Sequence, residues 1–481
     1  MEPAPSATAA ARHHRTIMTT VLLAIFLTAM DGTVVTTAMP AIIRSLHGLS
    51  LYSWVFTVYM LTTAITMPVW GKLADIYGPR SLFLLGVSVF LAGSMLSGSS
   101  TSMAALSAFR ALQGVGAGAM SALGYTVIGV TLPPDERARA SGFVGAMWGI
   151  ASIVGPLLGG LLVFTVGWRG VFYVNLPLGL VALWLGARVI PPGAVQSQSP
   201  QIDWAGGLLV AAGVGLGLIT LQLAQAGSAW YLWCGLLAIL LLVGFVWVER
   251  RVKEPMLAPF LFQERLFAVA NAVSFLSAFA VFAVLDYLPL LVPPGMPRGF
   301  GAAAIVFPST LTWSLSSFIV SRYVVRVGTR TVAIAGMAVV VVGMGVFLTA
   351  TGPHSPLWLV ALLSAPIGAG IGPLTPALLS AMQNRLPLTQ IGMGSATQQL
   401  VQQVGGTLGV SVLQLAFARA MLKSGGTAVG AALISGGTNI SPGVFTDVVR
   451  AFHQGLTPVL GVAVLGAALA WALPRGRLPG S

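Results

Sequence analysis

Two carboxylates sit where a carboxylate is costly. Asp31 interrupts an apolar run that opens at Ile17, and Asp286 is the only other acid set deep within such a run. A charge at the centre of a membrane-spanning helix costs about 2.5 to 3.5 kcal/mol on insertion scales, so it turns towards a cavity and a partner. Low dielectric disfavours an anion and a neighbouring cation favours it, so proton affinity changes when water gains or loses access. That is the chemistry a proton-coupled carrier needs at Asp31; the structural alternative is a hydrogen-bonded or helix-capping aspartate. Asp286 is read in the outer half of its span, either as a second site for a proton or a cationic substrate, or as an interfacial carboxylate near Pro289. Arg110 lies about two turns inside the fourth span, at a rise of about 1.5 Å per residue. Its guanidinium needs compensation, from Asp31 or from carbonyls of the fifth span, and it serves either coupling or anchoring.

Uncharged residues extend the set. Ser395, Gln399, Gln402 and Gln403 recur at helical spacing on one side of the thirteenth span. A polar stripe in lipid turns inward, to line a cavity or to bind a neighbouring helix. Gln113, Tyr59, Trp148 and Trp313 join Gln399 and Gln403 as candidates for a substrate cavity. The aromatic residues among them, with Trp54, can stack on an aromatic ligand or act as packing and interfacial anchors. No metal or organic cofactor is expected, because the 5 histidines fall at ends and loops without metal spacing and Cys234 is the single cysteine. No Gly-x-x-x-x-Gly-Lys-Ser/Thr phosphate loop occurs, which excludes ATP drive within this chain. No loop gathers a His-Asp, Cys-His or paired-carboxylate set, which argues against an integral-membrane enzyme.

The elements that must position these residues are membrane helices. Of 481 residues, 56% are hydrophobic and 7% charged, with a mean hydropathy of +0.90. A water-soluble surface cannot be built from so few charges. The runs are continuously apolar rather than alternating, which excludes a transmembrane barrel. Runs of about 20 apolar residues cross a bilayer, and the chain divides into about fourteen of them. The run from Ile17 is longer than a signal-peptide core and contains Asp31, so it is read as an uncleaved first span. With both termini cytoplasmic, about seventeen of the 24 Lys and Arg fall on the cytoplasmic side, as short loops prefer. On that reading 191–202 and 250–265 are cytoplasmic and 423–450 is external. The net charge of +13 does not imply nucleic acid as a partner, because the basic residues lie between apolar runs without interleaved aromatics.

One constant offset aligns Gly78, Arg80 and Gly86 with Gly328, Arg330 and Gly336, and Gly155, Leu158 and Gly159 with Gly405, Leu408 and Gly409. A shared register over two separate regions indicates an internal repeat. The expected organisation is a tail over 1–15, a six-helix half over 16–190, two added helices over 203–249, a second six-helix half over 266–473 and a tail over 474–481. Parallel six-helix halves are a transporter architecture.

Several motifs then resemble the fourteen-helix drug:proton antiporter branch of the major facilitator superfamily, from about Asp31 to the last span. The first span carries Asp31-Gly32-Thr33 through Ala38-Met39-Pro40. The loop Gly71-Lys72-Leu73-Ala74-Asp75-Ile76-Tyr77-Gly78-Pro79-Arg80 is similar to the superfamily's gating loop, departing from it at Ile76. Arg110-Ala111-Leu112-Gln113-Gly114-Val115-Gly116 follows in the fourth span. The fifth holds Gly149 and then Gly155-Pro156-Leu157-Leu158-Gly159-Gly160, the pattern associated with antiporters. Trp168 to Pro177, Asp203 to Gly206, and Glu254-Pro255 with Phe262 to Arg265 resemble the fourteen-helix branch in particular. The resemblance implies an all-α polytopic fold with two six-helix halves and two extra helices. It also implies that Gly71, Asp75, Gly78 and Arg80 form a gating latch and that Gly155, Pro156, Gly159 and Gly160 form a rigid seam.

The expected activity is exchange of inward-moving protons for an outward-moving lipophilic molecule, by alternating access. The energy source is the proton gradient, the partners are a small lipophilic substrate, protons and the bilayer, and the working unit is a monomer in the plasma (inner) membrane. A dedicated exporter of one endogenous metabolite, lipid or antibiotic is the runner-up; a membrane enzyme or a carrier-derived receptor is more remote.

Overall fold

The computed structural model describes residues 7–47, 51–192, 204–225, 228–252, 263–296, 298–423 and 442–474. Asp203, Glu254, Pro255 and Phe262, most of the loop 191–202, and 424–441 lie outside the described residues. The described chain is helical throughout. The first bundle contains α1 (Ala7–Leu46), α2 (Tyr52–Tyr77), α3 (Pro79–Gly98), α4 (Met103–Thr131), α5 (Pro134–Thr165), the single turn α6 (Gly170–Tyr173) and α7 (Asn175–Val189). Two helices follow, α8 (Trp204–Gln225) and α9 (Trp230–Glu249). The second bundle contains α10 (Arg265–Tyr287), α11 (Arg298–Ser321), the turn α12 (Val324–Val327), α13 (Thr329–Ala350), α14 (Leu357–Ile371), α15 (Leu374–Gln383), α16 (Ile391–Lys423) and α17 (Pro442–Ala470).

Local chemistry sets the breaks. Gly78 at φ 83° ends α2, and Pro79 occupies the first helical position of α3, where its missing N–H costs nothing. Gly328 at φ 88° does the same before α13. Both positions need a left-handed backbone that glycine adopts freely. The Ser102 side chain caps α4 by accepting from the Ala105 N–H at 3.1 Å.

Twelve helices among the described residues are long and apolar enough to cross a membrane. The sequence expectation was about fourteen. The two remaining long helices are α2, with 26 residues, and α8, with 22. Four threonines dilute the apolar stretch of α2, and the described apolar part of α8 runs over Ala205–Gly217. The last helix also begins earlier than the sequence suggested: its polar first turns, with Asp447 and Arg450, belong to α17 rather than to a loop.

Two hydrophobic cores result. One is built almost wholly from residues between Ile17 and Ile190, the other from residues between Phe267 and Leu473. In the first bundle α1 packs on α5 and α7, and α4 on α2 and α3; in the second α10 packs on α16 and α17, and α14 on α11 and α13. The repeated glycines are the reason the pairs match. A Cβ on Gly159 would lie 3.0 Å from the Val34 carbonyl oxygen of α1, and one on Gly405 2.5 Å from that of Phe275 in α10. Small residues of this kind let helices approach closely in lipid. Helices α8 and α9 pair with each other, and α8 rests on α2 and α16.

Candidate functional site

Inside the first bundle, α1 brings Asp31 to the centre, where it is 1% exposed. Arg110 and Gln113 are one turn apart on α4, so they share a face. The Asp31 carboxylate accepts three hydrogen bonds: Arg110 Nη1 donates to Oδ2, while Gln113 Nε2 at 2.8 Å and Asn175 Nδ2 at 3.0 Å donate to Oδ1. Arg110 Nη1 also donates to Gln113 Oε1 at 2.8 Å. The Tyr59 ring of α2 lies under the guanidinium, with Cζ 3.9 Å from the ring centroid. Asn175, the first residue of α7, also donates to Ser94 Oγ at 3.0 Å, and Ser94 donates to the Phe172 carbonyl at 2.8 Å.

Desolvating a lone charge is expensive, and a buried pair survives only with excellent geometry and additional hydrogen bonds. Here the carboxylate is fully engaged, while the guanidinium bonds through Nη1 alone and rests on the Tyr59 ring. Protonation of Asp31 turns one acceptor oxygen into a donor and removes the countercharge of Arg110. As placed, the hydrogen bonds on Asp31 tie α1 to α4 and α7.

A second set of contacts joins the bundles at the end bearing Asp75. Asp75 Oδ1 and Oδ2 accept the backbone N–H groups of Gly392 and Met393, each at 2.8 Å, in the unsatisfied first turn of α16. Close approach permits this: a Cβ on Gly71 would stand 2.7 Å from the Gly392 carbonyl oxygen. Asp75 lies beyond the expected span 52–71. Burial pushes its carboxyl up to about 7, while the Met393 and Gly392 N–H groups and Lys72 pull it down. On the same end, the buried Arg137 of α5 donates to the Gln383 carbonyl at 3.1 Å and to Asn384 Oδ1 at 2.9 Å. Gln383 Nε2 in turn donates to the Tyr125 carbonyl at 3.0 Å and to Ser395 Oγ at 2.8 Å. Gly142, Gly145 and Gly149 of α5 face Ser321, Ser317 and Ser314 of α11 across the same seam.

The sequence-derived candidates divide by position. Asp31, Arg110, Gln113 and Tyr59 come together, but Gln113 and Tyr59 are sealed around the ion pair rather than lining a cavity. Asp286 is not part of the cluster: it sits in the last turn of α10, exposed, and makes no hydrogen bond among the described residues. Arg80 does not meet Asp75; its guanidinium donates to the Ala187 carbonyl of α7 and fixes the start of α3. Gly155 and Gly159 face α1, Pro156 faces outward, and nothing stands within 4 Å of a Cβ on Gly160. Trp148 and Trp54 are exposed, whereas the Trp313 ring is edge-on to Phe282, 5.6 Å between centroids. Ser395 is buried against Gln383, Gln402 donates to Thr375 Oγ1 at 2.8 Å, and Gln399 and Gln403 are half-buried. Sequence reasoning gave no role to Asn175, Ser94, Arg137 or Gln383. An amide near the start of an apolar helix was the available signal for Asn175.

Among the described residues no group of three or more His, Cys, Asp or Glu side chains is placed to hold a metal ion. The profile described as Major Facilitator Superfamily matches residues 21–410. The "Multidrug transporter protein MdtP" of Bacillus subtilis (strain 168) is 34% identical over 406 residues, 82% of this chain and 74% of that protein. The "Puromycin resistance protein pur8" of Streptomyces alboniger is 33% identical over 480 residues, 95% of this chain and 90% of that protein. Among solved structures, the human organic anion transporter MFSD10 (TETRAN) superposes with a TM-score of 0.68 at 16% identity, covering 95% of this chain and 99% of that one. The proton:xylose symporter XylE gives 0.61 at 16% identity, covering 96% of each chain. At these identities the structural likeness concerns the fold.

Proposed function

This chain belongs to the Major Facilitator Superfamily, a family of transporters rather than enzymes, and from that premise we propose that it exports lipophilic drugs or antibiotics in exchange for protons, as a fourteen-helix drug:proton antiporter. The observation that carries the reading is the sealed carboxylate of Asp31, held by two amide donors and one guanidinium inside the first bundle. A carboxylate in that setting changes its charge only by taking up a proton. When it does, Arg110 loses its countercharge and the bonds from Gln113 and Asn175 weaken, so the preferred arrangement of α1 against α4 and α7 changes. Gly155 and Gly159 pack α5 directly on α1, and α5 also forms the seam with α11, so a movement of α1 reaches the contact between the halves. A ligand or proton shifts a conformational equilibrium only through different affinity for the two states, and this cluster supplies the difference.

The names carried by relatives, among them multidrug transport and puromycin resistance, support a lipophilic antibiotic-like substrate moving outward. The test is proton flux from everted membrane vesicles on addition of a panel of cationic, neutral and anionic drugs. Release of protons on addition of at least one drug class supports the proposal, and drug movement that leaves a pre-set pH gradient untouched counts against it.

A further inference from the structure

Asp31 is enclosed by Tyr59, Arg110 and Gln113, and all three are buried. A proton must still arrive. Asn175 connects Asp31 to the end of α3, where Ser94 and Ser97 lie one turn apart and Ser100, just past the helix, donates to the Ser97 carbonyl at 2.8 Å; each is at most 1% exposed. Residues three apart share one face of a helix, with Cβ atoms about 5 to 6 Å apart, a gap that one water molecule bridges. The ladder begins at the carboxylate, since Asn175 Nδ2 donates to both Asp31 Oδ1 and Ser94 Oγ. It ends beside exposed Thr101 and Ser102 in the turn between α3 and α4, at the end opposite Asp75. Two groups along it are buried without partners: the Ser97 hydroxyl and Asn175 Oδ1. Buried polar atoms are satisfied in folded proteins, by ordered water where the protein offers nothing. Ser97 lies between Ser94 and Ser100 in the chain, and Asn175 is the residue that bonds both Asp31 and Ser94.

We propose that Ser94, Ser97 and Ser100, with water held at Ser97 Oγ and Asn175 Oδ1, form a proton path from the Ser102 end to Asp31, separate from the route taken by substrate. The proposal rests on Asp31 being the coupling carboxylate. Each hydroxyl or water along the path donates its proton onward and accepts one from behind; the last water gives a proton to the Asp31 carboxylate and is left neutral. A serine hydroxyl is both donor and acceptor and suits this task, whereas the Asn175 amide orients water without passing the proton through itself. The charged and titratable groups facing the path are Arg110 and Tyr59 at its inner end and, near its mouth, Tyr173, whose ring packs on Gly98, and Arg169, whose guanidinium donates to the Ser100 carbonyl at 3.1 Å.

The test follows protonation of Asp31 without any substrate. Purified protein in liposomes is given an acid jump, and the infrared carboxylic-acid band that Asp31→Asn removes is followed in time. Ser97→Leu, which fills the path, and Ser97→Ala, which removes one relay group without adding bulk, are expected to slow the band by at least about tenfold, the rate equivalent of one lost hydrogen bond. Ser97→Thr keeps a hydroxyl and is expected to restore the rate, and Ser99→Ala, on the exposed side of the same turn, to leave it unchanged. If Ser97→Ala and any folded Ser97→Leu protein protonate Asp31 at the wild-type rate, the path is wrong while the coupling role stands. If the wild-type band never appears, Asp31 is not the proton carrier, and both readings fall.

Discussion

At the scale of single residues, the sequence revealed charge in the wrong place but not geometry. Asp31 and Arg110 were legible because each is costly in an apolar run, and mutual compensation was one of two ways to resolve both costs. Asn175 and Ser94 were not legible, since neutral polar residues are tolerated in membrane helices for many reasons. Asp286 shows the reverse case: depth along a helix is readable, but the face it occupies is not, and here that face is exposed and apart from the Asp31 cluster. The cluster predicts strong non-additivity. Arg110→Ala leaves a buried carboxylate without its cation, which typically costs about 3 to 5 kcal/mol. The double variant Asp31→Asn/Arg110→Ala removes both charges and should recover much of that loss in thermal unfolding in detergent; equal destabilisation of single and double variants would mean the pair is not coupled. Asp75 carries a pH prediction. Its carboxyl stands at about 7 in the joined state against 3.8 for an unperturbed aspartate, so the joined state binds the proton more tightly. That contribution grows as pH falls and is lost as pH rises through about 7, so the distance between spin labels on α2 and α16 should shorten from about pH 8 to about pH 6. Asp75→Asn should remove this dependence and lower transport while sparing substrate binding; an unchanged pH profile in the variant would assign the effect to another group.

At the scale of elements, the glycine pattern was readable as a repeat but not as a set of contacts. Gly155, Gly159 and Gly160 are consecutive parts of one motif, yet the first two touch α1 and the third touches nothing. Helical periodicity gives the angular position of each glycine, and only the packed neighbours say which positions are crowded. Three substitutions separate these roles. Gly155→Val drives a side chain into Thr33 within one half and should destabilise the fold by about 1 to 3 kcal/mol, as overpacking does. Gly149→Val meets Ser314 across the seam between α5 and α11. It should leave each half stable and bias the protein away from the conformation closed at the Asp75 end, which increased cysteine labelling at position 317 would report. Gly160→Val should be close to neutral in both assays. Equal loss of thermal stability in all three variants would show that α5 is one undivided packing surface.

At the scale of the whole molecule, two similar bundles meet at one end through Asp75, Arg137 and Gln383, while the buried ion pair of Asp31 and Arg110 lies inside the first bundle. The repeat made the two-bundle plan readable, because Gly78 and Gly328 adopt the same backbone and Gly155 and Gly405 face equivalent helices. The seam was only partly readable. Asp75 was recognisable from its motif, but Arg137 donates to a backbone carbonyl and an amide in the other bundle, and nothing in a linear sequence pairs it with residues so distant. The account requires that a proton at Asp31 alters how the bundles move, so conformational exchange and proton-driven work must be separable. The most direct measurement is transport by Asp31→Asn in everted vesicles, once with an imposed pH gradient and once as gradient-free exchange of labelled for unlabelled drug. The substitution preserves volume but replaces one acceptor oxygen by a donor and leaves Arg110 without its countercharge, so insertion and folding are verified first by membrane yield and thermal unfolding. Loss of gradient-driven accumulation with exchange retained is the expected result; accumulation against a gradient at the wild-type level by Asp31→Asn would contradict it.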